Sequence, residues 1–380
     1  MECASDGGHE RDFAPRVIAW QRQYGRRGLP WQCTDSYRVW LSEIMLQQTQ
    51  VATVLDYYPI FLARFPDVQA LAAASQDEVL ALWSGLGYYA RARNLHRCAQ
   101  RVVAEYGGRF PDSAAALQTL PGIGRSTAAA IAAFCFGERA AILDGNVRRV
   151  LARVFGIAAD VSQPGPQREL WRLAQSLLPA EAGAAAMAPY TQGLMDLGAL
   201  VCTRRSPACA VCPLAAQCVA ARQGNPEAYP RARPAPQRKS VALALLLARN
   251  DEGCVWLTPQ ASAGGILRGI WKGLYTLPVF ADETALLAAL PAAARQHVQW
   301  RAPIRHTLTH RDLELHVAEV DLTSADSQTA SAFTAGDAGR WFGPSEWHAL
   351  GLPAPIARLL GIKRTSGRFP DAMSESASRG

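Results

Sequence analysis

Two groups of residues in this chain are placed to do chemistry: a carboxylate downstream of a glycine turn, and four crowded cysteines. Leu120-Pro121-Gly122-Ile123-Gly124 reads as a tight hairpin between two helices. Pro121 ends the first helix, and Gly122 and Gly124 permit close backbone approach or positive φ. A helix of small residues is predicted from Ser126, and its free N-terminal amides attract an anion. Asp144 then falls in the turn-like Leu143-Asp144-Gly145-Asn146. For a basic protein the natural anion is a phosphodiester, so a backbone clamp and a fixed carboxylate point to chemistry on bound nucleic acid. The same residues also allow a plain turn between core helices, with Asp144 as a helix cap.

The cysteines Cys202, Cys209, Cys212 and Cys218 stand as C-x6-C-x2-C-x5-C. Four thiolates in one short loop can wrap a zinc ion or a four-iron cluster, and composition does not choose between them. Cys3, Cys33, Cys98, Cys135 and Cys254 are scattered, so no disulfide framework is expected.

The whole chain narrows the possibilities. Its 380 residues suffice for two or three domains, and 49% hydrophobic with 19% charged residues is a globular composition. A formal charge of +7 favours a polyanionic partner. No segment has the uninterrupted apolar length of a membrane span. The start, MECASDGGHERDF, has no apolar secretion core, and its acidic residues argue against a transit peptide. A cytoplasmic, nucleoid-associated protein is expected.

The elements that must hold these residues follow from periodicity. Residues 1–12 read as a tail and Phe13–Tyr24 as a helix. Tyr37, Trp40, Leu41, Ile44 and Met45 mark an amphipathic helix. Glu43 lies opposite that stripe, beside Gln47 and Gln50. The uncharged run Met45 to Gln50 suits a groove that reads base edges better than a solvated face. One helix is predicted over Val68–Trp83, and then comes Gly85-Leu86-Gly87-Tyr88-Tyr89 with Arg91 and Arg93, a loop able to wedge and neutralise DNA. Further helices are expected at 147–155, 170–178 and 190–201. Pro226, Pro230, Pro234 and Pro236 among arginines make a stiff connector over 225–240. Strands are expected at 241–247, 255–258 and 313–320, helices at 283–290 and 354–360, and a tail from 363. The fold class is therefore multidomain: an all-α domain at 13–224 with a metal loop, and an α+β domain at 241–362.

The hairpin with its downstream aspartate resembles the helix-hairpin-helix DNA glycosylase superfamily. The cysteine spacing is similar to the [4Fe-4S] loop of its endonuclease III and MutY branch. Bifunctional members carry a lysine two residues after the second hairpin glycine, where this chain has Ser126, and without an amine no Schiff base forms. Ser126 with Glu43 resembles the MutY-type adenine DNA glycosylases. Leu29-Pro30-Trp31, Trp40 to Gln50, Gly85 to Asn94, Leu143 to Val147, and Asp196 to Ala199 also fit that family.

That resemblance implies a monofunctional enzyme that excises adenine mispaired with 8-oxoguanine or guanine, acting as a monomer on double-stranded DNA. It implies one [4Fe-4S] cluster on the four cysteines. Glu43 becomes the general acid for adenine N7, its pKa raised by an apolar pocket, and Asp144, kept ionised beside hairpin amides, the stabiliser of the sugar cation. Gln48 and Tyr88 would enter the helix, while Arg27, Leu29, Trp31, Gln192 and Met195 would line the pocket. The alternatives are an endonuclease III-like pyrimidine-damage glycosylase and a non-catalytic mismatch binder.

The second domain resembles the Nudix-like recognition domain of the same family. The region after Trp271-Lys272-Gly273 has no R-E-x-x-E-E helix, so a lesion reader rather than a phosphohydrolase is expected. Its reading turn matches Leu308-Thr309-His310, with Leu308 where the family has phenylalanine. A Ser126→Lys variant is expected to gain strand-cleaving activity trapped by borohydride. Absence of any trapped adduct would mean that position 126 does not face the sugar.

Overall fold

The computed structural model describes residues 11–362 apart from 182, 233–236, 261–266, 268–269 and 323–338. The expected tails therefore lie outside the described residues except for Arg11 and Asp12, as do Arg233, Pro234 and Pro236 of the expected connector.

The elements run in order as α1 Phe13–Tyr24, α2 Ser36–Leu46, α3 Val51–Arg64, α4 Val68–Ala73, α5 Gln76–Trp83 and α6 Ala90–Tyr106. Next come α7 Ala114–Leu117, α8 Arg125–Phe136, α9 Gly145–Val154, α10 Pro164–Ser176, α11 Ala184–Asp196 and α12 Val219–Arg222. The strands are β1 Lys239–Asn250, β2 Val255–Pro259, β3 Tyr275–Thr276, β4 Val279–Phe280, β5 Gln299–Trp300, β6 Ile304–Thr307, β7 Arg311–Leu322 and β8 Arg340–Phe342. Helices α13 Glu283–Ala289 and α14 Ala292–Arg295 precede β5, and α15 Ala354–Leu359 follows β8.

The chain forms two compact units, and they do not divide at the connector. Among the described residues, the first unit lies within 1–55, 67–72 and 97–235, and the second within 56–66, 73–96 and 236–380. Helical residues from the N-terminal half thus belong with the C-terminal sheet. In that second unit the Ser84 hydroxyl donates to the Leu352 carbonyl at 2.8 Å, and the Tyr89 hydroxyl donates to the same carbonyl at 3.2 Å.

The helical unit buries one contiguous core. Phe13, Val17 and Trp20 of α1 pack with Val150 and Leu151 of α9, and with Met187, Tyr190 and Leu194 of α11. Their i, i+3, i+4 spacing is why these segments are helices and why they face inward. The helix expected over 68–83 is two helices. Ser75 caps α5 by accepting from the Glu78 amide while the Glu78 carboxylate accepts from the Ser75 amide, and this reciprocal box starts a new helix. The helix expected at 190–201 is α11 continued by a π-helical turn, Leu197–Val201.

In the second unit β1 and β7 pair in parallel over their full length, from Lys239 opposite Arg311 to Asn250 opposite Leu322. The uninterrupted buried run Leu243–Ala248 reflects a central strand covered on both faces. Ala244, Leu246 and Ala248 point to a cluster completed by Leu286 and Leu290 of α13 and its end. On the other flank, β6 returns antiparallel to β7 through a turn closed by the Leu308 amide donating to the Arg311 carbonyl at 2.8 Å. That turn holds Leu308, Thr309 and His310.

Gly137 ends α8 in left-handed geometry, φ 67°, and its carbonyl accepts from the Gly183 amide just before α11. A Cβ there would lie 2.5 Å from the Ala184 nitrogen. Both the positive φ and the backbone contact demand glycine. Gly137→Ala is expected to lower the unfolding free energy by about 2 kcal/mol or more, read as a shift in the denaturant midpoint.

Candidate active site

Glu43 and Asp144 line the same cleft, an open cavity of about 1090 Å³ in the helical unit. Glu43 reaches it from the polar face of α2, whose other face buries Trp40, Leu41, Ile44 and Met45. Asp144 reaches it as the N-cap of α9, accepting from the Val147 amide at 2.7 Å. Asp144 is thus a helix cap that also lines the cleft. The amides that hold it are those of Asn146 and Val147 on its own helix, which corrects the expectation that hairpin amides would do so.

The two carboxyls feel each other. Burial, and then the neighbouring Asp144 charge, push Glu43 up to about 8. Asp144 is also raised by burial, but the Val147 and Asn146 amides and the Arg149 and Arg148 guanidiniums pull it back. Two acids this close separate in role, because desolvation and like charge work mainly against one of them. Glu43 is the member that holds a proton near neutrality.

Around this pair the cleft gathers Arg27, Leu29, Trp31, Gln48, Gln192 and Met195, as well as Ser126. The Ser126 hydroxyl accepts from the Leu143 amide at 3.0 Å, so it is tied to the backbone immediately before Asp144. Gly122, at φ 79°, and Gly124, the N-cap of α8, form the hairpin and stand outside the cleft lining.

Tyr88 lies in the second unit with the turn of residues 308–310. Its hydroxyl is 3.1 Å from the Thr309 hydroxyl oxygen. His310 and Thr309 are exposed and Leu308 half-buried. Gln48 and Tyr88, the two residues expected to enter the helix, each occupy left-handed backbone, φ 57° and 48°. Non-glycine residues rarely do so, and such strain collects at sites of contact. Arg91 supports the Tyr88 loop by donating to the Leu86 carbonyl at 3.1 Å, with its guanidinium 5.6 Å from the Tyr88 ring centre.

Sequence reasoning missed the layer behind the cleft. Asp196 is fully buried and accepts from the Arg26 amide at 2.8 Å, from Arg26 Nε at 2.6 Å and from Gln192 Nε2 at 2.8 Å. A carboxylate only accepts, so the Gln192 amide turns its nitrogen toward Asp196. An aspartate inside an apolar helix pattern was the available signal, since such a group needs partners. Gly198 packs against Asn146 so closely that a Cβ would lie 2.5 Å from the Asn146 Cβ. Arg149 donates from Nη2 to the Asn146 side-chain oxygen at 2.8 Å and to the Gly198 carbonyl at 2.6 Å, and from Nε to the Cys202 carbonyl at 2.7 Å.

Cys202, Cys209, Cys212 and Cys218 surround one small apolar cavity floored by Val150, Leu197, Val201 and Leu214. Among the described residues no three side chains converge tightly enough for a single metal ion. Four thiols around one cavity are the donor set that an iron-sulfur cluster takes. Buried Arg153 braces this loop, donating to Cys202 Sγ at 3.2 Å and to the Thr203 carbonyl at 2.6 Å. Burial pushes the Cys212 thiol up to about 12, so binding must displace its proton.

This cleft, hairpin and cluster loop define a base excision repair glycosylase. Residues 41–176 match the HhH-GPD superfamily of base excision DNA repair proteins, 202–218 the iron-sulfur binding domain of endonuclease III, and 244–361 the NUDIX domain. The helical part also resembles a thermostable thymine-DNA glycosylase, with a TM-score of 0.51 and 28% identity, covering 57% of this chain and 98% of that one.

Within that class the chain belongs to the adenine DNA glycosylases. It is 32% identical over 358 residues to the adenine DNA glycosylase of Buchnera aphidicola subsp. Schizaphis graminum, covering 92% of this chain and 98% of the relative. It is also 32% identical over 415 residues to the human adenine DNA glycosylase, covering 92% and 73% respectively. It is an enzyme of base excision repair that hydrolyses the N-glycosidic bond of adenine in mispairs, and its loop binds a [4Fe-4S] cluster. The endonuclease III-like alternative is not favoured.

Two outcomes follow. Asp196→Ala is expected to cost about 3–5 kcal/mol of stability, because it leaves the Arg26 cation without its buried partner, as chemical denaturation would read. Glu43, with its folded pKa raised from 4.5 to about 8, contributes full relative stability below pH 4.5 and loses it as pH rises to about 8. The stability gap between Glu43→Gln and wild type should therefore move in favour of the variant between pH 5 and 9. A pH-independent gap would mean that Glu43 ionises normally.

Proposed function

We propose that the protein removes adenine opposite 8-oxoguanine or guanine as a monofunctional, monomeric cytoplasmic glycosylase. The observation that carries this reading is the pair of unequal carboxyls in one cleft. Glu43 holds a proton where an everted base would enter, and adenine is a poor leaving group until N7 is protonated. The Gln192 oxygen suits the adenine amino donor. Trp31, Leu29 and Met195 supply apolar walls, and Arg27 supplies a cation.

As the bond breaks, positive charge spreads over the sugar. Asp144, capped by two amides and flanked by Arg148 and Arg149, is the carboxylate that stabilises or transiently captures it, as in retaining glycosidases. Water completes the abasic site. Ser126, which lacks an amine, leaves the strand uncut. The cluster supplies no step in this reaction; on Cys202, Cys209, Cys212 and Cys218 it would fold the loop and hold Arg204 and Arg205 toward DNA. Gly122 and Gly124 receive the phosphate backbone of the flipped strand.

Leu308, Thr309 and His310 read the opposite base, and Tyr88 and Gln48 fill the vacated stack. The Tyr88–Thr309 contact supports this assignment, because it joins a wedge residue to the reading turn. We assign the helical domain to 13–224 and the reading domain to 241–362 in sequence, although α5 and the start of α6 fold with the sheet.

Glu43→Gln and Asp144→Asn are each expected to abolish adenine release, by about 10²-fold or more, while leaving mismatch binding intact. Single-turnover assays on duplexes with A opposite 8-oxoguanine and A opposite G would test this. Normal turnover by Glu43→Gln would remove Glu43 as the acid. In the wild type the rate at limiting enzyme should fall as pH rises through about 8, where Glu43 loses its proton.

A further inference from the structure

Arg125 opens α8 directly after the hairpin, and its guanidinium lies over the Trp171 ring of α10 at 3.7 Å from the ring centre. This is a close cation–π contact, to which a planar delocalised guanidinium is well suited. At the first helical position a side chain is directed back toward the helix start, so the contact holds the cation on the hairpin side. Arg125 is exposed. Among the described residues its guanidinium makes no hydrogen bond or ion pair beyond this ring contact. All five donors remain available, and the space beside Gly124 is open, with no atom within 4 Å of where a Cβ would stand.

An unpaired surface arginine ordinarily sweeps many rotamers and loses that freedom when it binds. The indole removes most of this cost beforehand. Arg168 precedes Trp171 by three residues, shares its helix face, and is exposed as well.

We propose that Trp171 is a positioning residue for DNA: its ring holds Arg125 extended as a phosphate contact on the strand that reaches the hairpin. The partner is the phosphodiester itself, so the contact is independent of which base is excised or read opposite.

The test uses undamaged duplex and the full-length, cluster-loaded protein, with dissociation constants measured by fluorescence anisotropy from 50 to 200 mM salt. One phosphate contact contributes about 0.9 to the slope of log affinity against log salt, or roughly 3.5-fold across that range. Arg125→Gln should weaken binding and flatten the slope by about one contact. Trp171→Leu should act in the same direction, and Trp171→Phe, which keeps a stacking face, should restore the wild-type slope. Thermal melts identify any variant that fails to fold, and Arg125→Gln carries the test alone in that case because it leaves the ring in place. Wild-type slopes in Arg125→Gln, or equal slopes for Trp171→Leu and Trp171→Phe, would overturn the proposal and reduce the contact to packing.

Discussion

The withdrawal of the Glu43 carboxyl from water is the constraint on which the cleft depends. A solvated glutamate is ionised at neutral pH and has no proton to give. Burial, and then the Asp144 charge, push the Glu43 carboxyl up to about 8. Burial raises the second carboxyl too, but α9 begins at it. Helix N-terminal amides and two arginines give Asp144 partners that Glu43 lacks. One helix face and one helix start thus place chemically similar groups in unlike surroundings.

Rigidity at the cleft comes from the elements behind it. Asp196 ends α11 and holds Arg26 and the Gln192 amide together, fixing the entry loop and the pocket wall with one buried charge. The π-helical turn that follows lets Gly198 approach Asn146, and Arg149 closes the same junction to the Cys202 backbone. The cap carrying Asp144 is thereby clamped from its far side. Groups so held need little rearrangement when a substrate arrives, which is what preorganisation requires.

The sequence made legible whatever local chemistry dictates. The α1 helix spans the predicted residues, because its apolar spacing and flanking residues leave no alternative. The central strands β1 and β7 appeared as a buried run and an alternating run, each shorter than the actual strand because polar ends carry no pattern. The cysteine loop and the hairpin were readable because their spacing is itself the constraint. The break between α4 and α5 was missed although Ser75-Gln76-Asp77-Glu78 contains the local signal of a new helix. Asp196 and Gly198 were matched to a family pattern without a role, since their partners lie about 50 to 170 residues away in the chain. The meeting of Tyr88 with Thr309 spans 221 positions and leaves no trace in either neighbourhood.

The interleaving of the two compact units bears on how the protein can be cut. A truncation at the Pro-rich connector follows the apparent domain boundary in sequence, yet it would orphan α5 and the start of α6. Ser84 and Tyr89 would lose the Leu352 carbonyl, and Leu80 would lose its close neighbour at Gly351. A fragment ending there would carry raw apolar surface that never meets solvent in the intact chain. Limited digestion at the connector should for the same reason nick the polypeptide without releasing two independent bodies.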